Sequence, residues 1–387
     1  MTATAERPLG AATSDVGAQA RDPFWDNAKF IAIVLVVVGH ALGPVFGTAP
    51  AGALSWWIFI FHMPAFVFIA GYLSRSFDYA PRKLEKLVST VVVPYLVFEV
   101  VYTLMAKYVS GQDISSLTPL DPIWLNWFLA ALFIWRLSTG FWRRLRWPLP
   151  VAVLICLAVG VVDLGEDLDL TRALSFLPFF VAGLVAKPEH LALLRRRKVR
   201  IASAVVLAAM FGIAWFAADR LSMEWLFWRS TLLERDTSLL LGTALRAAFL
   251  VFCAVGVAAL LAVVPRRRTW FTALGAGTLY CYLLHGLFTR VASAAGVGDH
   301  LANPLGVAAI IVVSALVATG LMTSPVRRAT KWLVEPNVGW LFRRDRKPLA
   351  QEHETPAQDH AGAAVPEARD AGETRDVQEA PDARDRP

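Results

Sequence analysis

Long apolar runs separated by short polar segments dominate the chain from residue 28 to residue 323. Several of these runs reach the length of about 17–25 residues with which an α-helix crosses a lipid bilayer. The runs are continuous, whereas the strands of a membrane β-barrel would alternate between apolar and polar positions. The pattern therefore predicts an all-α integral membrane protein with about ten transmembrane helices, near residues 28–47, 54–73, 87–109, 123–138, 149–163, 171–186, 201–217, 239–262, 273–292 and 304–323.

The distribution of charge predicts how these helices are oriented. Positive charge recurs in every second loop, while the loops at 48–53, 110–122, 164–170 and 293–303 contain no Lys or Arg, and only segment 218–238 is mixed. Loops rich in Lys and Arg stay on the cytoplasmic side of a membrane. We therefore expect a multi-pass protein of the cell (plasma) membrane, with both termini in the cytoplasm and a basic cluster in each inner loop: Arg75, Arg82, Lys83 and Lys86; Arg143, Arg144 and Arg146; Arg195, Arg196, Arg197, Lys198 and Arg200; Arg266, Arg267 and Arg268.

Composition divides the chain into three parts. Residues 1–24 are polar and rich in Ala and Gly, and residues 345–387 contain almost no large apolar side chain. From residue 348 to the end, four basic residues stand against ten acidic ones, a net charge of −6. Such segments have too little apolar surface to fold. We predict a disordered cytoplasmic N-terminal segment at 1–24, a ten-helix transmembrane domain at 25–335 and a disordered acidic C-terminal tail at 345–387.

Several classes of function lack support in the sequence. The chain is 56% hydrophobic, as expected of a membrane protein. In such a protein the formal net charge of +7 indicates orientation in the membrane rather than nucleic-acid binding. The three cysteines, Cys156, Cys253 and Cys281, lie in apolar runs without a CxxC spacing, so neither a disulfide framework nor a metal site is predicted. No Walker loop, HExxH or GxSxG motif occurs, and no GxGxxG motif opens a helix.

Among the ionisable residues inside predicted helices, four are placed deep in the bilayer at a similar level, namely His40, His62, Glu99 and His285. At a rise of about 1.5 Å per residue, all four lie at nearly one depth, slightly to the outer side of the bilayer midplane. Ionisable groups inside a membrane are costly and usually pair with each other or have a function. A single histidine is also often only a packing residue, and this alternative stays open for His62 and His285. Together the four favour a shared polar site.

Basic residues near the predicted cytoplasmic ends form a second candidate group. Lys29 precedes His40 by eleven residues, which is roughly three helical turns, so both lie on one helix face about 16 Å apart. One interpretation is orientation, or contact with anionic lipids. The other is an anchor for a phosphate-bearing cofactor that enters from the cytoplasm. The candidates for this anchor are Lys29, Arg75, Arg82, Lys83 and Lys86, with Arg136 in the same region.

Five segments in order resemble the membrane-bound acyltransferase 3 family, in particular its branch similar to fucose 4-O-acetylases. Residues 26–40 resemble an Arg-x10-His signature with Lys29 in place of Arg, and residues 61–72 resemble an FHMPxFxFxSGY segment with Ala70 in place of Ser. The remaining similarities are a basic loop that ends in Pro-Tyr at 83–95, a WFLxAL segment at 127–132 and a Tyr-Leu-x-His-Gly segment at 278–286.

This resemblance implies a function. The family transfers an acyl group, usually acetyl, from cytoplasmic acyl-coenzyme A to a hydroxyl, often on a sugar at the outer face. Lys29 would then help to hold the donor's phosphates, and His40 would act as a general base or carry the acyl group. His62, Glu99 or His285 could orient the imidazole, position the acceptor or stabilise the oxyanion. The acceptor could be a sugar, a glycan or a secondary metabolite.

Two alternatives remain at the level of sequence. Intramembrane His and Glu residues also serve as proton relays, so a multi-span transporter or flippase is the second hypothesis. Transporters often contain internal repeats with broken helices, and no fixed-period repeat is evident in this chain. The third hypothesis is a membrane scaffold whose histidines only contribute to packing.

Overall fold

The structure of the protein is a computed structural model. It describes four stretches of the chain, residues 22–113, 118–165, 167–229 and 238–342. The predicted disordered tail at 345–387 lies outside these stretches, and so do all but the last three residues of the predicted N-terminal segment 1–24. Both assignments stay predictions.

All regular structure in the described stretches is helical, which confirms the all-α expectation. The α-helices are α1 Pro23–Ala41, α2 Ala49–Leu73, α3 Pro81–Leu87, α4 Val93–Tyr108, α5 Trp127–Leu137, α6 Thr139–Arg144, α7 Pro148–Val159, α8 Leu170–Val185, α9 Pro188–Leu193, α10 Arg197–Ala217, α11 Glu224–Phe227, α12 Leu239–Val263, α13 Thr278–Ala294, α14 Val297–Leu301, α15 Pro304–Leu321 and α16 Ser324–Val334. Short 3₁₀ segments join several of them, and a π-helical turn at Val88–Val92 links α3 to α4.

Seven helical segments of the described residues are long and apolar enough to cross a membrane. They are Pro23–Ala41, Ala49–Ser76, Pro81–Tyr108, Asp167–Val185, Arg197–Ala217, Leu239–Val263 and Pro304–Leu321. The other three predicted spans correspond to α5, α7 and α13, which have 11, 12 and 17 residues. Since a perpendicular crossing needs about 20 residues, the total of ten spans stays a prediction. The protein is therefore a multi-pass membrane protein whose described residues form an all-helical structure.

Helices α2 and α8 cross at two glycines. A Cβ atom on Gly71 would lie 2.0 Å from the carbonyl oxygen of Phe180, and one on Gly183 would lie 2.0 Å from that of Phe68. The two backbones are thus in direct contact, an arrangement that small residues permit between membrane helices. This crossing fixes α8 against α2, and both helices carry residues of the site described below.

Two polar side chains join distant parts of the helical bundle. Asn27 of α1 donates to the carbonyls of Pro265 and Arg267, at 2.9 and 3.0 Å, and accepts from Thr272 Oγ1 at 2.7 Å. It therefore fastens the start of α1 to the loop before α13. Arg246 of α12 is buried and donates to Cys156 O and Ser175 Oγ, which joins α12 to α7 and α8.

Candidate active site

Helix α1 carries the two residues on which the sequence-based hypothesis depends. The Asp22 side chain accepts from Phe24 N at 3.0 Å, and Pro23 occupies the first turn, so the helix begins with a capped N-terminus. Lys29 lies in the second turn, and His40 is the residue before the helix ends at Ala41. Eleven residues at about 1.5 Å separate the two by roughly 16 Å. We call the two sides of the bundle the Lys29 end and the His40 end.

Three histidines from three helices meet at the His40 end. The ring centroids of His40 and His285 are 5.6 Å apart, and Phe59 packs edge-on against both His40 and His62 at 5.7 and 4.6 Å. Trp124 lies against the His40 ring at 5.6 Å, also edge-on. Helices α1, α2 and α13 therefore bring the three predicted histidines into one aromatic cluster.

Hydrogen bonds define the tautomers of the two flanking histidines. His62 Nδ1 lies 2.9 Å from Ile58 O, and His285 Nδ1 lies 3.0 Å from Cys281 O. Since a carbonyl oxygen only accepts, Nδ1 carries the proton in both rings, and each Nε2 presents a lone pair. Nε2 of His285 is buried and has no hydrogen-bond partner among the described residues. Buried acceptors without a partner are rare in folded proteins, so this nitrogen beside His40 is a candidate for a role in the reaction.

A cavity of about 640 Å³ opens beside this cluster. Its polar lining comprises His40, Ser55, His62, Asp169, Arg172, Arg229 and Tyr282, and its aromatic lining includes Phe59, Trp124, Trp127, Phe176 and Phe227. The volume is within the range of about 300–1,000 Å³ of small-molecule sites, and the mixture of apolar walls with a few polar groups is typical of them. His285 does not line the cavity and lies behind His40.

The cavity contains a buried ion pair that the sequence analysis missed. Arg172 donates to Asp169 Oδ2 at 3.1 Å and to Phe227 O at 2.8 Å, and its guanidinium lies 4.7 Å from the ring centre of Trp127. The available signal was a single arginine inside the predicted span 171–186. Asp169 belongs to the acidic loop before this span, and nothing in the sequence showed that Asp169 and Arg172 line the same cavity as His40.

Glu99 has a different environment from the histidines. Its carboxylate accepts from Ile123 N at 3.0 Å and from Asn126 Nδ2 at 2.8 Å, and it is not among the residues that line the cavity. Ile123 and Asn126 flank Trp124, which contacts His40. The contacts of Glu99 thus support the segment that carries an aromatic neighbour of His40, and its predicted catalytic role stays a prediction.

The predicted anchor residues lie away from the cavity. Lys29 pairs with Asp26 at 2.8 Å, and the Arg75 guanidinium lies 4.9 Å from the Tyr72 ring, which stacks on Trp25 of α1 at 4.0 Å. Tyr72 thus connects Arg75 to the first turn of α1, one turn before Lys29. The other three candidates are on α3, where Lys83 pairs with the exposed Asp78 at 3.0 Å, and both Arg82 and Lys86 are exposed.

The loop before α3 lies outside the membrane-spanning segments and carries Asp78, the partner of Lys83. The hydrogen bond from Lys83, and a second from Ala80 N, hold the pKa of the exposed Asp78 carboxyl below its usual value. Arg143 donates to the carbonyls of Ser74, Arg75 and Phe77 and fixes the turn before α3. In the described stretches, no three His, Cys, Asp or Glu residues are grouped so that they could hold a metal ion.

Two comparisons with known proteins give a match over most of the chain. The family model described as "Acyltransferase domain" matches residues 22–323. The nodulation protein NolL of Mesorhizobium japonicum is 25% identical over 354 residues, which cover 79% of this chain and 89% of that protein. No solved structure matches the chain. Residues 22–323 include the three histidines, the Asp169–Arg172 pair and all five predicted anchor residues.

Proposed function

Because the chain belongs to the acyltransferase 3 family of membrane acyltransferases, we propose that it moves an acyl group, acetyl by preference, from cytoplasmic acyl-coenzyme A to a hydroxyl of a sugar, glycan or secondary metabolite at the outer face of the plasma membrane. Both termini would then be cytoplasmic, with the Lys29 end inside and the His40 end outside. Acyl-coenzyme A is the donor substrate, and the proposal includes no metal.

The observation that carries the proposal is the position of His40. It lines a cavity of about 640 Å³ on a helix whose other end carries Lys29 with Arg75 nearby. A donor held by its phosphates at the Lys29 end would extend its thioester arm along the bundle toward His40. An acceptor would occupy the cavity. The donor would thus bind through its phosphates at the Lys29 end, and the acceptor would bind beside the imidazole at the His40 end.

His40 supports two routes of transfer. In the direct route, its imidazole takes the acceptor hydroxyl proton while the oxygen attacks the thioester carbonyl carbon; the C–S bond then breaks, and the coenzyme A thiolate takes the proton. In the two-step route, the imidazole nitrogen attacks the thioester carbonyl carbon, the C–S bond breaks, and the leaving thiolate takes the ring N–H proton; the acceptor hydroxyl oxygen then attacks the acyl carbon, the C–N bond breaks, and the released imidazole takes the hydroxyl proton. Labelling of His40 in the absence of acceptor would distinguish the second route from the first.

His285 suits a role in orienting His40. Its Nε2 lone pair has no partner and no access to the cavity, whereas the His40 ring is 5.6 Å away by centroid. A small ring movement or a bridging water would let a His40 N–H donate to this lone pair, leaving the other nitrogen of His40 as the base. His62 lines the cavity and presents its own Nε2 lone pair, so it is available to the acceptor.

The proposal is tested by transfer from radiolabelled acetyl-coenzyme A in membranes that contain the wild type, His40→Gln or His40→Ala. Both variants should lose transfer by at least about 100-fold, the range of general-base effects. The control is His300→Gln on α14, which replaces an exposed histidine away from the cavity and should retain wild-type activity. Unchanged transfer by the His40 variants would remove His40 from the mechanism.

A further inference from the structure

We propose that Asp169, Arg172 and Ser55 form the acceptor subsite of the cavity, and that this subsite takes an uncharged ring with several neighbouring hydroxyl groups. This inference rests on the proposed function, which requires a hydroxyl acceptor beside His40 but does not say which residues bind it. All three residues line the same cavity as His40, and they come from two helices, α2 and the start of α8.

The three residues have unused hydrogen-bonding capacity. Arg172 uses two of its five N–H groups, on Phe227 O and Asp169 Oδ2. Asp169 Oδ1 accepts no hydrogen bond from the described residues, and Ser55 Oγ is buried without a partner among them. Buried polar groups without partners are rare in folded proteins. Here donors and acceptors in one cavity match a ligand with several hydroxyl groups, because each hydroxyl both donates and accepts.

The ion pair favours an uncharged ligand. Asp169 is buried, and the Arg172 side chain is only 14% exposed, so their charges compensate each other in a site of low polarity. A carboxylate ligand would compete with Asp169 for the guanidinium and leave one anion unpaired, which is costly when buried. An uncharged ligand uses the remaining N–H groups and lone pairs while the pair stays intact. Arg229 also lines the cavity, but it has an interaction of its own.

The aromatic walls favour a ring over a flexible chain. Trp124, Trp127 and Phe227 line the cavity, and Trp127 contacts both the Arg172 guanidinium and the ring of Phe176, the latter at 5.3 Å between ring centroids. Rigid aromatic walls with a few placed polar groups orient a ligand that has an apolar face and polar edges.

Backbone strain is concentrated at the same wall. The described residues include five non-glycine residues with positive φ, and four of them, Trp124, Leu168, Asp169 and Trp228, lie in or next to the segments that line the cavity. Their φ angles of 49–57° are in the left-handed region. Such conformations cost free energy and recur at functional sites, where the surrounding structure holds them. Asp169 thus has an unfavourable backbone conformation, and its carboxylate pairs with Arg172.

The test uses the full-length protein in detergent or nanodiscs and separates binding from transfer. The first arm measures quenching of tryptophan fluorescence by methyl glycosides of neutral hexoses, by the matching uronic acids and by a linear alcohol. Wild type should bind the neutral glycosides at least tenfold more tightly than the other two. Arg172→Lys and Ser55→Ala should each weaken this binding about tenfold, the effect of losing one or two buried hydrogen bonds.

The second arm measures transfer from radiolabelled acetyl-coenzyme A. Both variants should raise the KM of the acceptor about tenfold and leave the KM of acetyl-coenzyme A unchanged. The matched control is Asp167→Asn, an exposed carboxylate two residues from Asp169, which should change neither KM. Thermal unfolding of each variant verifies that it is folded.

The outcomes are distinct for the two proposals. Unchanged glycoside affinity in both folded variants, or a preference for uronic acids, would overturn the subsite. If neutral glycosides bind as described but no acyl group is ever transferred, the subsite stands and the proposed function fails. If transfer occurs with an acceptor KM that neither variant alters, the function stands and the subsite fails.

Discussion

His285 stands behind His40 with its ring centroid 5.6 Å away, and its Nδ1–H is committed to the carbonyl of Cys281. Its Nε2 atom is buried and without a partner among the described residues. We predict that His285→Phe lowers kcat by about 10–100-fold, as for other residues that orient a reactive group, and leaves the KM of acetyl-coenzyme A unchanged. His285→Asn, whose amide can both donate to Cys281 O and accept from His40, should restore part of the rate.

A pH profile adds a readout that a packing role would not alter. In the Phe variant, the imidazole of His40 loses the acceptor that holds its tautomer, so the pH dependence of kcat should shift relative to wild type. Equal rates and equal profiles for wild type and His285→Phe would show that the orphaned nitrogen has no part in the reaction.

Lys29 and its ion pair with Asp26 support a second prediction, about the donor. Lys29→Met removes the cation of α1 nearest to the proposed phosphate site, so it should raise the KM of acetyl-coenzyme A about tenfold with little change in acceptor KM. Lys29→Arg keeps the charge and should stay within about threefold of wild type. Lys198→Met, at an exposed position, is the control. A donor KM that is insensitive to Lys29→Met would contradict the anchor.

A substitution of Glu99 distinguishes a structural role of this residue from a catalytic one. Its carboxylate accepts from Ile123 N and from Asn126 Nδ2, so Glu99→Ala leaves the Ile123 N–H and one N–H of the Asn126 amide without an acceptor and should lower stability by roughly 2–4 kcal/mol. Thermal unfolding in detergent measures this loss. Below the unfolding temperature, the folded variant should keep kcat within about threefold of wild type. A folded Glu99→Ala protein with no activity would instead support direct catalysis.

The crossing of α2 and α8 provides a prediction about folding. Gly183→Ala puts a methyl group 2.0 Å from Phe68 O, which the two backbones can only relieve by moving apart. The yield of folded protein should fall sharply, and the cost should exceed the usual overpacking penalty of about 1–3 kcal/mol. Gly212→Ala on α10 is the matched control, because its Cβ meets no atom within 4 Å. This control should be as stable as wild type or slightly more stable, since Ala is the better helix former.

The proposed orientation is tested with reporter fusions. A reporter after Asp167 should be found outside the cytoplasm, and one at Arg196 should be found inside it, because basic loops stay in the cytoplasm. Both positions are exposed in the structure. The reverse pattern would place His40 on the cytoplasmic side and contradict transfer to an outer acceptor.

The sequence by itself determined the class of fold, the family and the candidate histidines. Apolar runs of bilayer length require helices, because only helices satisfy every backbone group of a single segment within lipid. Position along a helix also defines depth in the membrane. Counting residues along the helices therefore put His40, His62 and His285 at one level, and the three lie in one cluster in the structure.

Only the tertiary structure decided which groups at that level touch each other. Counting along helices gives depth but not the rotation of each helix about its axis or the identity of its neighbours. Glu99 has the expected depth, yet it bonds to Ile123 and Asn126 instead of a histidine. Arg172 and Asp169 line the same cavity as His40 because the glycine crossing sets α8 against α2. Such contacts depend on side-chain packing between helices distant in the chain, and no local pattern of residues encodes them.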